Sequence, residues 1–270
     1  MSEILESAED EFADVIVVVT GGASGIGHGC VRRFARTAAA AVVSADLSPP
    51  EVEILESPNV LRRQLDVTDS AACDDLATEL MVEFGRIDIL VTAAGLNYAS
   101  WARMHDLPID RSGRPSLLDT SDDYWDLIMM VNLKGTLNCM RSFGRQMLSR
   151  SSGAIVTIDS ISGALAVPNN GAYCVSKAAV WMLTKCAALE FARSGVRVNS
   201  VAPGYTATPM SADIQNDPSR LARLLESVPA GRMGRVEDIA DAVAFLASDH
   251  ATYLTGCRLG ADGGAGIAGR

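Results

Sequence analysis

The stretch Thr20-Gly21-Gly22-Ala23-Ser24-Gly25-Ile26-Gly27 decides the fold that the sequence predicts. It follows a β-branched run at residues 15–20 and opens a pattern of helical period. Its glycines permit a tight turn, close approach of the backbone to a pyrophosphate, and close packing of helix on strand. The spacing is G-x-x-x-G-x-G, and a glycine-rich turn is often only a tight loop. Its position between a strand and a helix, whose free N–H groups attract anions, carries the prediction of a phosphate-binding turn.

The rest of the chain alternates short β-branched runs with longer helical patterns, which is typical of β-α-β units. The predicted strands are residues 15–20, 41–46, 60–66, 87–93, 154–159, 196–201 and 258–260. The predicted helices are residues 25–37, 69–84, 121–148, 172–193 and 236–248. We therefore predict an α/β fold, a single Rossmann-type doubly wound parallel sheet of about seven strands with helices on both faces. This domain takes up residues 13–270, and the acidic residues 1–12 are expected to form a flexible extension.

Two stretches, residues 96–120 and 203–232, show no clear period, and each follows a predicted strand. Ligands of open α/β sheets bind outside the carboxyl ends of the strands. We therefore predict that both stretches are long loops that cover a substrate. The alternative, that they are solvated loops without a role, stays open.

The composition excludes several classes of protein. Among 270 residues, 23 Lys and Arg stand against 33 Asp and Glu, and this net charge of −10 disfavours nucleic-acid binding. No apolar run approaches the ~18 residues of a membrane span, and the acidic start lacks the basic region of a signal peptide. We expect a cytoplasmic protein with reduced cysteines. The six cysteines and three histidines are scattered, so no metal site is predicted.

Asp46 ends the second predicted strand, nineteen residues after Gly27. A carboxylate at this place can accept hydrogen bonds from both hydroxyls of an adenosine ribose and would repel a 2′-phosphate. The neighbouring Ser24 and Leu47 are neutral. An aspartate that only makes a turn is the alternative. After the glycine-rich turn, the ribose role is favoured, and it predicts NAD rather than NADP as the cofactor.

Tyr173 and Lys177 are four residues apart in a predicted helix, so both lie on one helix face. An ammonium beside a phenol lowers the phenol's pKa from about 10, which suits a general acid/base. Ser160 follows the fifth strand, where its hydroxyl could hold a substrate oxygen. Asn132 lies on the apolar stripe of residues 121–148 and is either structural or part of a polar relay.

With these residues identified, the chain resembles the short-chain dehydrogenase/reductase family nearly from end to end. The matching motifs are residues 20–27, Asp66-Val67, Ala93-Ala94-Gly95, Asn132, Ser160, Tyr173-x-x-x-Lys177, Pro203-Gly204 and Asp262-Gly263-Gly264. The resemblance implies a hydride transfer between NAD(H) and a secondary alcohol or ketone. It also implies a homotetramer formed through the helices near 121–148 and 172–193, with residues 259–264 at another interface.

The resemblance further implies a role for each matched residue. Tyr173 is the acid/base and Ser160 polarises the substrate carbonyl, while Lys177 binds the nicotinamide ribose and Asn132 helps to hold a water-linked proton path. The implied cofactor-binding residues are Gly21, Ser24, Gly25, Ile26, Gly27, Asp46, Leu47, Asp66, Val67, Ala93, Ala94, Gly95, Tyr173, Lys177, Pro203, Gly204, Thr206 and Thr208.

The chain departs from the family pattern at Thr92, where the family often has Asn, at Asp159, where Ser is common, and by an insert at residues 101–115. Asp159 could bind a polar substrate or face away from it. Two alternatives remain: a 3-oxoacyl-acyl-carrier-protein reductase, which Asp46 and the net charge oppose, and a non-catalytic NAD-binding sensor or scaffold. Candidates for the substrate wall are Leu96, Tyr98, Trp101, Leu165, Asn169, Tyr205 and Met210. The insert arginines Arg103, Arg111 and Arg114 could meet a carboxylate, although exposed loop arginines are usually only solvated.

Overall fold

A computed structural model describes residues 12–47, 57–107 and 114–267. Its strands are β1 (Ile16–Thr20), β2 (Ala41–Asp46), β3 (Val60–Gln64), β4 (Ile89–Thr92), β5 (Gly153–Ile158), β6 (Val196–Pro203) and β7 (Arg258–Ala261). They form one sheet in the order β3-β2-β1-β4-β5-β6-β7, and all neighbours are parallel. The chain therefore winds outwards in both directions from the β1–β4 pair, which confirms the predicted doubly wound α/β fold.

Helices cover both faces of this sheet. They are α1 (Gly25–Ala35), α2 (Ser70–Phe84), α3 (Tyr98–Met104), α4 (Asp122–Ile128), α5 (Thr136–Ser149), α6 (Gly171–Phe191), α7 (Ala212–Gln215), α8 (Pro218–Glu226) and α9 (Val236–Ala247). Side chains alternate along β1: Val18 packs with Leu80 of α2 and Phe143 of α5, whereas Val17 packs on the opposite face with Phe34 of α1. Burial on both faces explains why the central strands are continuous apolar runs.

The two stretches without a clear period contain short helices, so the prediction that they are loops throughout is wrong. The first contains α3, whose N-cap Asn97 accepts a hydrogen bond from Ser100 N at 3.0 Å. The second contains α7 and α8, and α8 begins with Pro218 after the N-cap Asp217. Each helix spans two or three turns at most, which is too short for a periodic pattern to identify. Residues 108–113 of the first stretch lie outside the described residues.

The helix predicted over residues 121–148 is also interrupted. Between α4 and α5 the backbone takes a π-helical form over Met129–Gly135, and Asn132 lies in this segment. A π-helical turn widens the helix by one residue and often occurs at functional sites. The periodicity of the sequence cannot distinguish it from the flanking α-helices.

The first described residue, Phe12, is part of the hydrophobic core. Phe12 is buried and its ring packs edge-on against Phe34, with centroids 5.0 Å apart, so Phe12 packs with the domain. Residues 1–11 of the predicted extension lie outside the described residues. None of the helices that the structure describes is both long and apolar enough to cross a membrane.

Candidate active site

The turn after β1 is built so that only glycine fits at its key positions. Gly21 has a φ of +68°, and a Cβ there would lie 2.7 Å from Ala94 N. A Cβ at Gly27 would overlap the carbonyl group of Gly21. Because the turn is this tight, the start of α1 packs directly on the end of β1, with its N–H groups exposed to an anion.

Asp46 stands at the carboxyl end of β2 beside this turn, where its Oδ2 accepts a hydrogen bond from Ala23 N at 3.1 Å. The bond holds the carboxylate next to the glycine-rich turn. Asp66 is held differently, since its Oδ1 accepts from the N and Oγ1 atoms of Thr68 at 2.8 and 2.7 Å. Both carboxylates therefore have fixed orientations.

A cavity of about 510 Å³ runs along the carboxyl ends of the strands. Every residue that the sequence analysis assigns to cofactor binding lines it, from the glycine-rich turn and Asp46 at one end to Tyr173 and Lys177 at the other. Gly95 keeps the wall open, because a Cβ there would lie 3.3 Å from Asn132 Oδ1 and 3.4 Å from Lys177 Nζ. A long cavity with a glycine-rich turn at a helix start and a carboxylate at the end of β2 fits a dinucleotide.

Three of the predicted catalytic side chains meet at the far end of this cavity. Ser160 lies two residues after the end of β5, and Tyr173 and Lys177 lie one turn apart near the start of α6. Lys177 Nζ lies 5.8 Å from the centre of the Tyr173 ring and donates a hydrogen bond to the Ile158 carbonyl at 2.9 Å. The cavity therefore presents a hydroxyl, a phenol and an amine side by side.

The electrostatics of this group differ from the prediction that Lys177 lowers the pKa of Tyr173. Burial raises the pKa of Tyr173 to about 12, and a hydrogen bond with Ser160 opposes this rise without cancelling it. Burial lowers the pKa of Lys177 to about 8, because the ammonium loses hydration, while the nearby Asp159 favours the charged form. At neutral pH the Tyr173 phenol is therefore protonated and Lys177 is mostly charged.

Asn132 is buried and its amide is fully engaged. Its Oδ1 accepts from Leu96 N at 2.7 Å, and its Nδ2 donates to the Leu96 carbonyl and to Ser176 Oγ, both at 3.0 Å. The side chain therefore ties the segment after β4 to α6, next to Lys177.

Comparison with known proteins shows the family. Residues 21–266 match the family model described as enoyl-(acyl carrier protein) reductase. The chain is 40% identical over 253 residues to galactitol 2-dehydrogenase of Rhizobium johnstonii. The aligned region covers 92% of this chain and 93% of that protein. The chain belongs to the short-chain dehydrogenase/reductase family.

Two further proteins support this assignment to a family of oxidoreductases. Cis-4-hydroxycyclohexanecarboxylate dehydrogenase of Sinomonas cyclohexanicum is 36% identical over 260 residues, covering 94% of this chain and 98% of that protein. A solved gluconate 5-dehydrogenase of Burkholderia cenocepacia, in complex with NADP and tartrate, is 30% identical with a TM-score of 0.84. That comparison covers 96% of this chain and 98% of the other. The predicted family is confirmed.

Asp159, where the chain departs from the family pattern, forms an ion pair with Arg258 that was not predicted from the sequence. Asp159 is 1% exposed, its Oδ2 accepts from Arg258 Nε at 2.5 Å, and Arg258 Nη2 also donates to the Ser160 carbonyl. Burial raises the pKa of Asp159, and the Arg258 guanidinium opposes the rise. The register of the strands explains the pair: Thr157 pairs with Ser200 and Ser200 with Arg258, which brings residue 258 near residue 159.

Some of the residues predicted to form the substrate wall line the cavity, and others do not. Leu96, Tyr205, Met210 and Arg114 line the cavity, whereas Tyr98, the first residue of α3, is buried against Trp101 and Tyr124. Among the described residues, Trp101, Leu165 and Asn169 do not line the cavity. Arg103 is exposed, and Arg111 lies outside the described residues. Two charged lining residues, Asp213 and Arg220, were not predicted, because they belong to helices that the sequence pattern did not reveal.

Proposed function

We propose that the protein is an NAD-dependent dehydrogenase that interconverts a secondary alcohol and a ketone, with Tyr173 as the acid/base. The observation that carries this proposal is one cavity with the glycine-rich turn and Asp46 at one end and Ser160, Tyr173 and Lys177 at the other. The first group suits a dinucleotide and the second suits proton exchange with an alcohol oxygen.

In this mechanism each side chain acts on the reacting oxygen or on the group that holds it. The glycine-rich turn, Asp46 and Lys177 would hold a nicotinamide cofactor, which would supply or accept the hydride. The Ser160 hydroxyl donates a hydrogen bond to the substrate oxygen, and this hydrogen bond becomes stronger as negative charge develops on that oxygen. The Tyr173 phenol gives its proton to that oxygen in ketone reduction and takes it back in alcohol oxidation. The positive charge of Lys177 stabilises the phenolate that remains, and its amine also binds the cofactor ribose.

NAD is the proposed cofactor because Asp46 places a carboxylate at the end of the cavity where the adenosine ribose would lie, and no Lys or Arg follows Asp46 closely in the sequence. The next Lys or Arg after Asp46 is Arg62. A 2′-phosphate beside Asp46 would meet like charge with no basic partner from this segment. We expect NADH to bind at least tenfold more tightly than NADPH in fluorescence titrations, and Asp46→Ala to narrow that ratio. Asp66→Asn is the matched control and should keep the ratio. Equal affinity for both cofactors in the unmodified protein would overturn the proposal.

The reaction is tested by an oxidation screen with NAD against secondary alcohols, including polyols such as galactitol and hydroxylated carboxylic acids, which the relatives' names suggest. Tyr173→Phe should keep NADH affinity within threefold and lose at least a hundredfold in kcat, since the ring keeps its packing and only the proton donor is lost. Tyr253→Phe, at a fully exposed tyrosine, is the control. NADH binding without turnover of any alcohol would favour the sensor or scaffold instead.

We further propose a homotetramer in the cytoplasm. The helix α6 exposes Val175, Met182 and Leu189 at intervals of seven residues, which places an apolar stripe on one face of the helix. Burying this stripe against a second copy would remove it from water. Light scattering at micromolar concentration should give the mass of four chains, and a monomer would contradict the proposal.

A further inference from the structure

The wall of the cavity contains a group of three charged side chains that the proposed chemistry does not use. Asp213 of α7 and Arg220 of α8 form an ion pair, with Oδ2 and Nη2 2.9 Å apart. Arg114, in the segment before α4, reaches the same Oδ2 with its Nη2 at 3.9 Å. Their side chains are only 10%, 18% and 15% exposed, yet all three line the cavity.

A simple structural role explains only part of this group. Arg220 also donates to the Asp213 carbonyl at 3.3 Å, and these two contacts suffice to link α7 to α8. Such a link needs one cation. The wall brings a second guanidinium, from a distant part of the chain, to the same carboxylate oxygen, and it does so where little water reaches the charges. Two partly buried guanidinium groups in the wall of one cavity suit an anionic ligand, because each has N–H donors beyond those that reach Asp213.

The chemistry of guanidinium favours a carboxylate as that ligand. Each guanidinium has five N–H donors in a planar fork, so it can hold a protein carboxylate and a second carboxylate together. Apolar side chains of Met210 and Leu224 line the same cavity and suit a carbon skeleton. Gln215 Nε2 donates to the Thr208 carbonyl at 2.9 Å, which ties α7 to the segment that lines the cofactor end.

We propose that the substrate carries a carboxylate in addition to its secondary hydroxyl group. Arg220 and Arg114 bind this carboxylate, and Asp213 holds the two guanidinium groups in position. The inference rests on the proposed function, because it names the substrate class of the same cavity.

The test compares hydroxy acids, with the hydroxyl group two to four carbons from the carboxylate, with the carboxamide of each. In the unmodified enzyme, kcat/KM for the acid should exceed that for the amide at least tenfold. Arg220→Gln and Arg114→Gln should each lower kcat/KM for the acid ten- to a hundredfold, chiefly through KM, and leave the amide within threefold. Arg223→Gln, an exposed arginine on α8, is the matched control and should change neither.

A double variant separates ligand binding from damage to the wall. Arg220→Gln combined with Asp213→Asn removes the ion pair without leaving a lone buried carboxylate, and it should show the same selective loss for the acid. NADH affinity within threefold of the unmodified enzyme shows that the cavity is intact. Equal use of acid and amide, or equal losses for both in the arginine variants, would overturn the inference.

A binding measurement gives an answer even if no alcohol in the panel turns over. Calorimetric titration of the NADH-loaded protein should show benzoate binding at least tenfold more tightly than benzamide, and Arg220→Gln should abolish the difference. Equal binding of the two probes refutes the carboxylate site. The proposed function fails by a different result, namely no NADH binding or full activity in Tyr173→Phe.

Discussion

Among the described residues, Arg258 is the only cation hydrogen-bonded to Asp159, the residue immediately before Ser160. Replacing Arg258 by methionine removes this cation. The Asp159 side chain is fully buried and the Arg258 side chain is 21% exposed, with Oδ2 and Nε 2.5 Å apart. Removing one partner of a buried ion pair costs about 3–5 kcal/mol, because the remaining charge keeps its desolvation penalty without compensation. Since a fifth of Arg258 reaches water, we expect a loss of about 3 kcal/mol in the free energy of unfolding.

The loss should depend on pH in a defined direction. Burial already raises the pKa of Asp159 against the effect of Arg258, and without Arg258 the pKa rises further. A carboxyl group with a raised folded-state pKa stabilises the protein fully below its unfolded pKa and loses this contribution as pH rises through the folded pKa. The deficit of Arg258→Met should therefore be largest near pH 8 and shrink towards pH 5. Urea denaturation at fixed protein concentration across this range measures it.

Two variants control for other effects of the substitution. Asp159→Asn combined with Arg258→Met leaves no buried charge and should recover more than half of the lost stability. Arg63→Met breaks a more exposed pair with Glu79 and should cost about 1 kcal/mol or less. The reasoning is refuted if Arg258→Met lies within 1 kcal/mol of the unmodified protein at pH 8, or if the double variant is no more stable than the single.

Two shorter predictions follow from the same site. Burial lowers the pKa of Lys177 to about 8, so the unfolded lysine, with a pKa near 10.4, binds a proton over a window in which the folded one does not. Relative to Lys177→Met, the unmodified protein should therefore gain about 1.5 kcal/mol of unfolding free energy in urea between pH 8 and pH 9.5, and a constant difference would contradict the assignment. Gly27→Ala should weaken NADH binding at least tenfold in fluorescence titration, because its Cβ would overlap the Gly21 carbonyl, whereas Gly144→Ala, whose Cβ would make ordinary contact 3.6 Å from Ile155, should leave binding unchanged.

The central part of the fold could be predicted because its signals are local. Burial on both faces of a strand requires an apolar run, and β1 and β2 are such runs in the sequence. The glycine-rich turn connects neighbouring elements, so its spacing is visible without any tertiary contact. The location of the cavity could be predicted as well, since ligands of parallel sheets bind at the carboxyl ends of the strands.

The remaining features depend on contacts between distant residues. The helices α3, α7 and α8 are short, and α3 and α8 begin at side-chain caps, so none of the three has a long amphipathic face that the sequence pattern could show. The Asp159–Arg258 pair depends on the register of three strands. The raised pKa of Tyr173 depends on burial, which outweighs the hydrogen bond with Ser160 and which no four-residue spacing reveals. The sequence was enough to predict which side chains meet in the cavity, but their environment required the structure.

Asn132 is the residue for which the structural and the catalytic role can now be separated. Its amide satisfies both backbone polar groups of Leu96 and also reaches Ser176, so Asn132→Ala should cost about 2–4 kcal/mol from the unsatisfied buried groups. Ser176→Ala removes one of the same bonds and is the matched control. If Asn132 also serves the proton path next to Lys177, then Asn132→Ala, assayed at a temperature where it is folded, should lose at least tenfold in kcat. Ser176→Ala should keep kcat within threefold, and NADH affinity should be retained in both. Because a lost structural bond lowers the folded fraction but not the turnover of folded molecules, an unchanged kcat per folded Asn132→Ala molecule would restrict this residue to a structural role.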